Sequence, residues 1–319
     1  MKNTILTFCC ILLQQSLFAE NKDWLIDGSP YKTEVNLSSD KKQIELTNGL
    51  LRRSFSLTPN GATIALDNLM TGQNELRAVR PEAVLVINGK EYPVGGLEGQ
   101  PVHNFLTKDF LSGMQLCDSA FVLAGYTVSE TKERFPWKPN EAWISNRYPW
   151  PAPGKRITFT YRAPRKIVDE CKGLTIRIVY ELYDGAPILS KWIEIDNKGQ
   201  KAVTLDSFKS EVLALVETAP KVHYGEPHEV RMMAQEPGYY TEDYRKKPVQ
   251  TDAPRDYIDR FTQLFVVTDY AMGGDMEAMK DNPAVRWVFD HPEYEFTGIR
   301  YYGQYKPARL EVCLLYTSP

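Results

Sequence analysis

Helical periodicity is almost missing from this chain. No long stretch repeats apolar residues every 3.6 positions, so strands do not alternate with helices and a parallel sheet is not expected. Basic runs are missing too. Lys+Arg total 38 against 41 Asp+Glu, for a net charge of −3, and no Lys/Arg-rich patch offers a nucleic-acid footprint. No apolar run reaches the ~20 residues needed to cross a bilayer. Histidine is scarce, at four residues, and there is no G-x-S-x-G nucleophile elbow. Repeats and low-complexity linkers are lacking, so one large domain fits the length better than several small ones. Cysteine is sparse. Of five, Cys9 and Cys10 lie in the N-terminal segment and Cys313 lies in the last seven residues. That leaves Cys117 and Cys171, which fit either one disulfide or two buried thiols, and no metal site.

What is present begins with a secretory signal over residues 1–19. Lys2 gives a short basic start, Ile5 to Leu13 is an apolar core, and Leu17-Phe18-Ala19 supplies a cleavage site before Glu20. Phe8 stands where a lipid-anchor motif needs a small residue, so cleavage without acylation of Cys9 or Cys10 is expected. The protein is therefore read as secreted or periplasmic. At the other end, Cys313-Leu314-Leu315-Tyr316-Thr317-Ser318-Pro319 resembles a translated sequencing adapter. Residues 313–319 are accordingly expected to be non-native, with native sequence running to Val312 and continuing in a longer gene.

Between these ends, alternation of period two dominates. Ile157, Phe159 and Tyr161 alternate with Thr158, Thr160 and Arg162; Leu174, Ile176, Ile178, Tyr180 and Leu182 alternate with polar neighbours. Turns at Asp184–Pro187 and Asp196–Gly199 link the second run to strands at Ile188–Ile195 and Ala202–Val216, predicting a three-strand meander. Asn88-Gly89 predicts a hairpin between Val84–Ile87 and Glu91–Val94. Further strands are expected at Ile44–Leu57, Ala62–Leu69 and Phe261–Asp269. Thr107 is placed to cap a short helix ending near Met114, and Met276–Lys280 reads as one turn. The fold class is all-β: a large antiparallel sandwich over residues 20–312 with few short helices.

Candidate chemistry is thin. Gly95-Gly96-Leu97-Glu98-Gly99 has no helix after it and reads as a turn, not a phosphate loop. His223 to Glu229 clusters potential ligands, but Gly225 and Pro227 spoil one-face spacing, and a solvated loop is the better reading. No carboxylate pair stands out for acid/base work, no catalytic residue is assigned, and no cofactor is implied. Arg53 shares a strand face with Leu51, Phe55 and Leu57. It either pairs with a buried carboxylate or sits on a bulged strand and points outward, and the pair is favoured.

Two segments resist strand assignment. His223 to Arg260 is polar and Pro-broken, with an open role. Glu133 to Lys155 carries five Pro and three Trp. An indole face stacks on the C–H face of a pyranose, and a flanking cation bonds hydroxyls. Trp137, Lys138 and Trp143 are therefore the candidate substrate-binding residues, with Trp150 beside them. The competing reading is that these aromatics only pin a long loop to the sandwich.

Three phrases carry a resemblance: Glu45-Leu46-Thr47-Asn48-Gly49-Leu50 with Arg52-Arg53-Ser54-Phe55; Leu66-Asp67-Asn68-Leu69-Met70-Thr71-Gly72; and Tyr180 to Gly185 with Leu189-Ser190-Lys191-Trp192 and Asp206-Ser207-Phe208. Together, over about Trp24 to Val312, they resemble the N-terminal β-supersandwich (a galactose-mutarotase-like fold) of secreted bacterial α-galactosidase-like glycoside hydrolases. The resemblance implies a (β/α)8 barrel beyond residue 312 that carries two catalytic Asp. It gives this region a non-catalytic supporting role, with a carbohydrate substrate and the barrel as partners, and leaves self-association open. Two alternatives stand beside it: a stand-alone carbohydrate-binding protein, and a mutarotase-like epimerase that would draw on His103, His223, His228 or His291.

Overall fold

Turn chemistry and strand alternation decide the pairings. The computed structural model describes residues 23–100, 106–138, 149–164, 171–215 and the strands at 232–235, 264–267, 285–289 and 308–315. In chain order these hold β1 (Glu34–Leu37), β2 (Gln43–Thr47), β3 (Leu51–Ser56), β4 (Ala62–Asn68), β5 (Gln73–Asn74), β6 (Leu76–Ala78), β7 (Ala83–Ile87) and β8 (Lys90–Val94). Helix α1 (Lys108–Gly113) follows, then β9 (Val122–Glu130), β10 (Gly154–Arg162), β11 (Leu174–Tyr183), β12 (Leu189–Asn197) and β13 (Leu205–Leu215). The chain closes with β14 (Met232–Gln235), β15 (Leu264–Val267), β16 (Val285–Phe289) and β17 (Ala308–Leu315).

The fold is all-β, as the alternation predicts. β1 to β5 form a five-stranded antiparallel sheet in chain order, and β9 to β12 form a four-stranded meander. A third sheet runs β16-β17-β13-β7-β8, with β6 beside β13, and β14 pairs with β15 in parallel. Among the described residues α1 is the one helix, and none is long and apolar enough to cross a membrane. Thr107 caps α1, its Oγ1 accepting from Phe110 N–H at 3.3 Å. Gly95, Gly96 and Gly99 all have positive φ and turn the chain after β8; no helix opens among the described residues up to Gln100. The predicted signal (1–19), the turn at Met276–Lys280, the 223–229 cluster and most of 223–260 lie outside the described residues.

Two expectations about strands need correction. Ile44–Leu57 is not one strand but a hairpin, β2 and β3, turned at Asn48-Gly49, where Gly49 takes φ +82°. Asn48 is 1% exposed, and its side chain does two jobs. Its Oδ1 accepts from Leu50 and Leu51 N–H, closing the turn, while Nδ2 donates to Tyr183 and Ala186 carbonyls at 2.8 and 2.7 Å. The predicted meander also shifts by one strand. β11 and β12 pair as expected, but β13 leaves for the third sheet. The β7–β8 turn captures it: Asn88 and Gly89 have φ +49° and +75°, Asn88 Oδ1 accepts from Thr204 N–H at 2.9 Å, and Gly89 N–H donates to Asp206 Oδ2 at 2.6 Å. β13 thereby gains partners on both edges, β7 and β17.

β17 includes Cys313–Leu315, opposite Lys209 to Ser207. Those bonds use backbone groups that every non-proline residue carries. Their register is displaced by one residue from that of Leu310–Val312, because Ser210 on β13 is left without a partner between Val312 and Cys313. Cys171 is a fully buried thiol and Cys117 a half-buried one, so of the two readings left open the described structure takes thiols over a disulfide.

One apolar core joins all three large sheets. Ile44, Leu46 and Phe55 come from the first, Phe159, Ile176, Ile178 and Tyr180 from the second, and Leu85, Ile87 and Tyr92 from the third. A charged network sits within it. Arg53 is 2% exposed and points inward; the register irregularity lies on the facing strand, β4, where Ile64 is the extra residue between the partners of Ser54 and Phe55. Its Nη1 and Nη2 donate to Glu211 at 2.7 and 3.2 Å, and its Nε donates to Thr63 Oγ1 at 2.9 Å. Lys191 Nζ donates to Glu211 Oε1 at 2.6 Å and to the Glu82 carbonyl. The Glu82 carboxylate accepts from Tyr180 OH and Thr63 N–H, and lies 3.6 Å from Arg53 Nη2. The Arg53 guanidinium also lies over the Tyr180 ring, at 4.6 Å. Glu211 reaches the network from a bulge at Ser210, where the β13–β17 register shifts.

Burial raises the Glu211 carboxyl pKa, but Arg53 and Lys191 outweigh it and hold the group at about 2 against an ordinary 4.5. Its folded value lies below its unfolded one. The stability it contributes is therefore complete above pH ~4.5 and is lost as pH falls toward 2. Glu211→Gln should cost ~3–5 kcal/mol in urea denaturation, because two buried cations would then face one carboxylate. It should also flatten the acid limb of the stability profile; an unchanged limb would remove Glu211 from that role.

Candidate functional site

The meander sheet turns one face to the core, and the other carries mostly polar side chains with Tyr183 and Trp192 among them. Register aligns three rows across it. Arg156, Glu181 and Ser190 form one, Thr158, Val179 and Trp192 the next, and Thr160, Arg177 and Glu194 the third. Cross-strand neighbours on one face lie within reach of each other. Arg156 accordingly grips Glu181 Oε1 with Nε and Nη2, at 2.7 and 2.6 Å. Arg177 Nε donates to Glu194 at 2.7 Å, and Trp192 Nε1 donates to the same carboxylate at 3.1 Å. Burial raises the Glu194 pKa, but these bonds outweigh it and keep the group below its ordinary value. Guanidinium groups cover Trp192: Arg134 at 4.4 Å and Arg156 at 5.1 Å from the ring centre.

A lip rises beside the first row. The β9–β10 ladder continues past β9 through Thr131, whose N–H donates to the Gly154 carbonyl at 3.2 Å and whose Oγ1 donates to the Ala152 carbonyl at 2.6 Å. Arg156 Nη2 donates to the Lys132 carbonyl at 3.0 Å, tying lip to sheet. The lip carries three partly exposed aromatics, Phe135, Trp137 and Trp150. Trp150 is central, with ring centres 5.6 Å from Phe135 and 5.1 Å from Trp137. Its Nε1 donates to Glu133 at 3.3 Å, which fixes the indole plane.

Between lip and sheet lies a hollow of about 220 Å³ lined by Arg134, Phe135, Trp150, Glu181, Tyr183 and Ser190, among others. Tyr183 OH lies 3.0 Å from both Glu181 Oε2 and Ser190 Oγ. With a single proton it donates to the carboxylate, and the Ser190 hydroxyl donates back to it. Burial first, then the Glu181 charge, raises the Tyr183 pKa, so the phenol keeps its proton at neutral pH. Glu181 is engaged by Arg156 and Tyr183, which suits a fixed hydrogen-bond acceptor better than a proton shuttle. The hollow can stack a flat apolar face on Trp150 or Phe135 and bond hydroxyls at its floor. Among the described residues, no group of three or more His, Cys, Asp or Glu is arranged to hold a metal ion.

Of the residues expected from sequence, Trp137 is brought onto Trp150, and Lys138 follows it, exposed. Trp143 lies outside the described residues, as do His103, His223, His228 and His291. Arg134, Phe135, Glu181, Tyr183 and Ser190 were missed as site residues. The alternation of Leu174–Tyr183 did mark Glu181 and Tyr183 as outward, but only the cross-strand register shows that they meet Ser190 and the lip.

The chain matches no protein-family model, and no curated protein matches it.

Glu181→Ala would strip Arg156 of its partner and Tyr183 of its acceptor. We expect a loss of about 2–3 kcal/mol by chemical denaturation. A change below about 0.5 kcal/mol would show that the pair does not hold the floor of the hollow.

Proposed function

We propose that this chain is the secreted, non-catalytic N-terminal β-sandwich of a glycoside hydrolase acting on α-galactosides or related glycans. In this reading it supports a catalytic barrel encoded beyond residue 312 and lends an aromatic lip to sugar binding. One observation supports the proposal: two partly exposed aromatics, Phe135 and Trp150, line a hollow whose floor is a fixed set of hydroxyl and charged groups, and Trp137, also partly exposed, packs on Trp150. Exposed aromatics at this density are not needed for packing, since the cores of the sheets are already filled by other residues. The phrases from Glu45 to Phe208 that resemble α-galactosidase-like enzymes supply the substrate class, and residues 1–19 supply the secretory route.

Two measurements test this. The chain should bind melibiose or raffinose in calorimetric titration. Trp150→Ala should weaken that binding at least ~10-fold, a typical cost for losing one stacked ring. Its thermal midpoint should stay close to that of the parent, because the indole is already 38% exposed. Undiminished affinity in both Trp150→Ala and Trp137→Ala would sink the role of the lip. The chain alone should also leave an aryl α-galactoside uncleaved. Measurable turnover would place the chemistry within these residues and overturn the non-catalytic assignment.

A further inference from the structure

A second hollow lies against the first. It measures about 380 Å³ and is lined by Lys32, Thr33, Glu130, Thr131, Lys155 and Asp184, among others, and Pro151 lines both. The walls cross from one hollow to the other between adjacent residues. Thr131 faces the larger and Lys132 the smaller; Pro153 the larger and Ala152 the smaller; Asp184 the larger and Tyr183 the smaller. Neighbours in an extended chain face opposite sides, so these three segments form the partition between the hollows, and Pro151, which lines both, is where they meet.

Their chemistry differs in a consistent way. The smaller hollow offers ring faces. The larger one offers paired charges, with Lys32 Nζ 3.2 Å from Asp184 Oδ2 and Lys155 ion-paired with Glu130. Asp184 is anchored from below by Thr33 N–H at 2.8 Å. Two cations and two anions balance, so the wall has no net attraction for an anionic ligand, while it alternates strong donors with strong acceptors. Lys32 and Glu130 are 63% and 73% exposed. Exposed pairs of this kind are worth only ~0–1 kcal/mol, so hydroxyls can open them at little cost.

Size points the same way. At about 220 Å³ the aromatic hollow falls below the ~300–1,000 Å³ usual for ligand clefts, while the two spaces together fall inside that range.

Resting on the carbohydrate reading above, we propose that the two hollows are adjoining subsites of one cleft that takes a neutral oligosaccharide of at least two rings. One ring stacks on the lip at Trp150. The next crosses Pro151 and is held through its hydroxyls by Lys32, Glu130, Lys155 and Asp184.

Calorimetric titration of the full chain with D-galactose, melibiose and raffinose tests this. Melibiose should bind at least ~10-fold tighter than galactose, with raffinose adding little more. The double variant Lys32→Ala/Glu130→Ala, both at exposed positions, should erase the gain so that melibiose and galactose bind alike. Equal affinity for galactose and melibiose in the parent, or a melibiose gain untouched in the double variant, overturns the two-subsite proposal and leaves the carbohydrate reading standing. Binding of none of the three sugars overturns the carbohydrate reading and the proposal with it.

Discussion

Four charged side chains buried at the meeting point of three sheets set the terms for everything else. Arg53 and Lys191 against Glu82 and Glu211 would each cost several kcal/mol to desolvate alone. They are tolerable only together, with Tyr180 and Thr63 meeting the remaining polar atoms. Each comes from a different part of the chain: β3, β12, the residue before β7, and β13. A one-residue slip of any of those strands would turn its charge to the other face and leave a partner bare. The network therefore selects a register as much as it adds stability. That register in turn places Arg156, Glu181 and Ser190 in one row on the opposite face of the meander.

The parts of this architecture that could be read from sequence are those decided locally. Asn88-Gly89 needs positive φ at both residues and gets it; Thr107 is a cap because its hydroxyl reaches an N–H three residues on. Arg53 among Leu51, Phe55 and Leu57 could be read as a buried pair, because a lone charge there is too costly. Its partners could not be read, since Glu211 lies 158 positions away. The departure of β13 from the meander was hidden for the same reason: a turn more than 100 residues upstream captures it. Asn48 was the signal for splitting Ile44–Leu57, and continuous strand-forming residues on both sides masked it.

The candidate site follows the same division. Its aromatic half was legible because Trp and Pro are dense in Glu133–Lys155, a compositional fact that needs no partner. Its polar half was not, because Glu181, Tyr183 and Ser190 look like ordinary outward residues of two amphipathic strands. They become a site only when β11 and β12 pair in one register and the lip closes over them. The two halves also differ in how they are held. The floor is made of residues in strand ladders, whereas the lip hangs from the end of the β9–β10 hairpin.

Asn48 gives that difference a direction. By holding the Tyr183 and Ala186 carbonyls from another sheet, it fixes the turn that presents Tyr183 to one hollow and Asp184 to the other. That side of the candidate site cannot change length without orphaning a fully buried amide. The facing lip meets the sheet through Thr131, the Lys132 carbonyl and Arg134 over Trp192, contacts made by a few side chains and not by a strand ladder. If the hollow binds the proposed ligand, changes in its preference are better accommodated in the lip, while the turn opposite stays a fixed ruler against which each lip is measured.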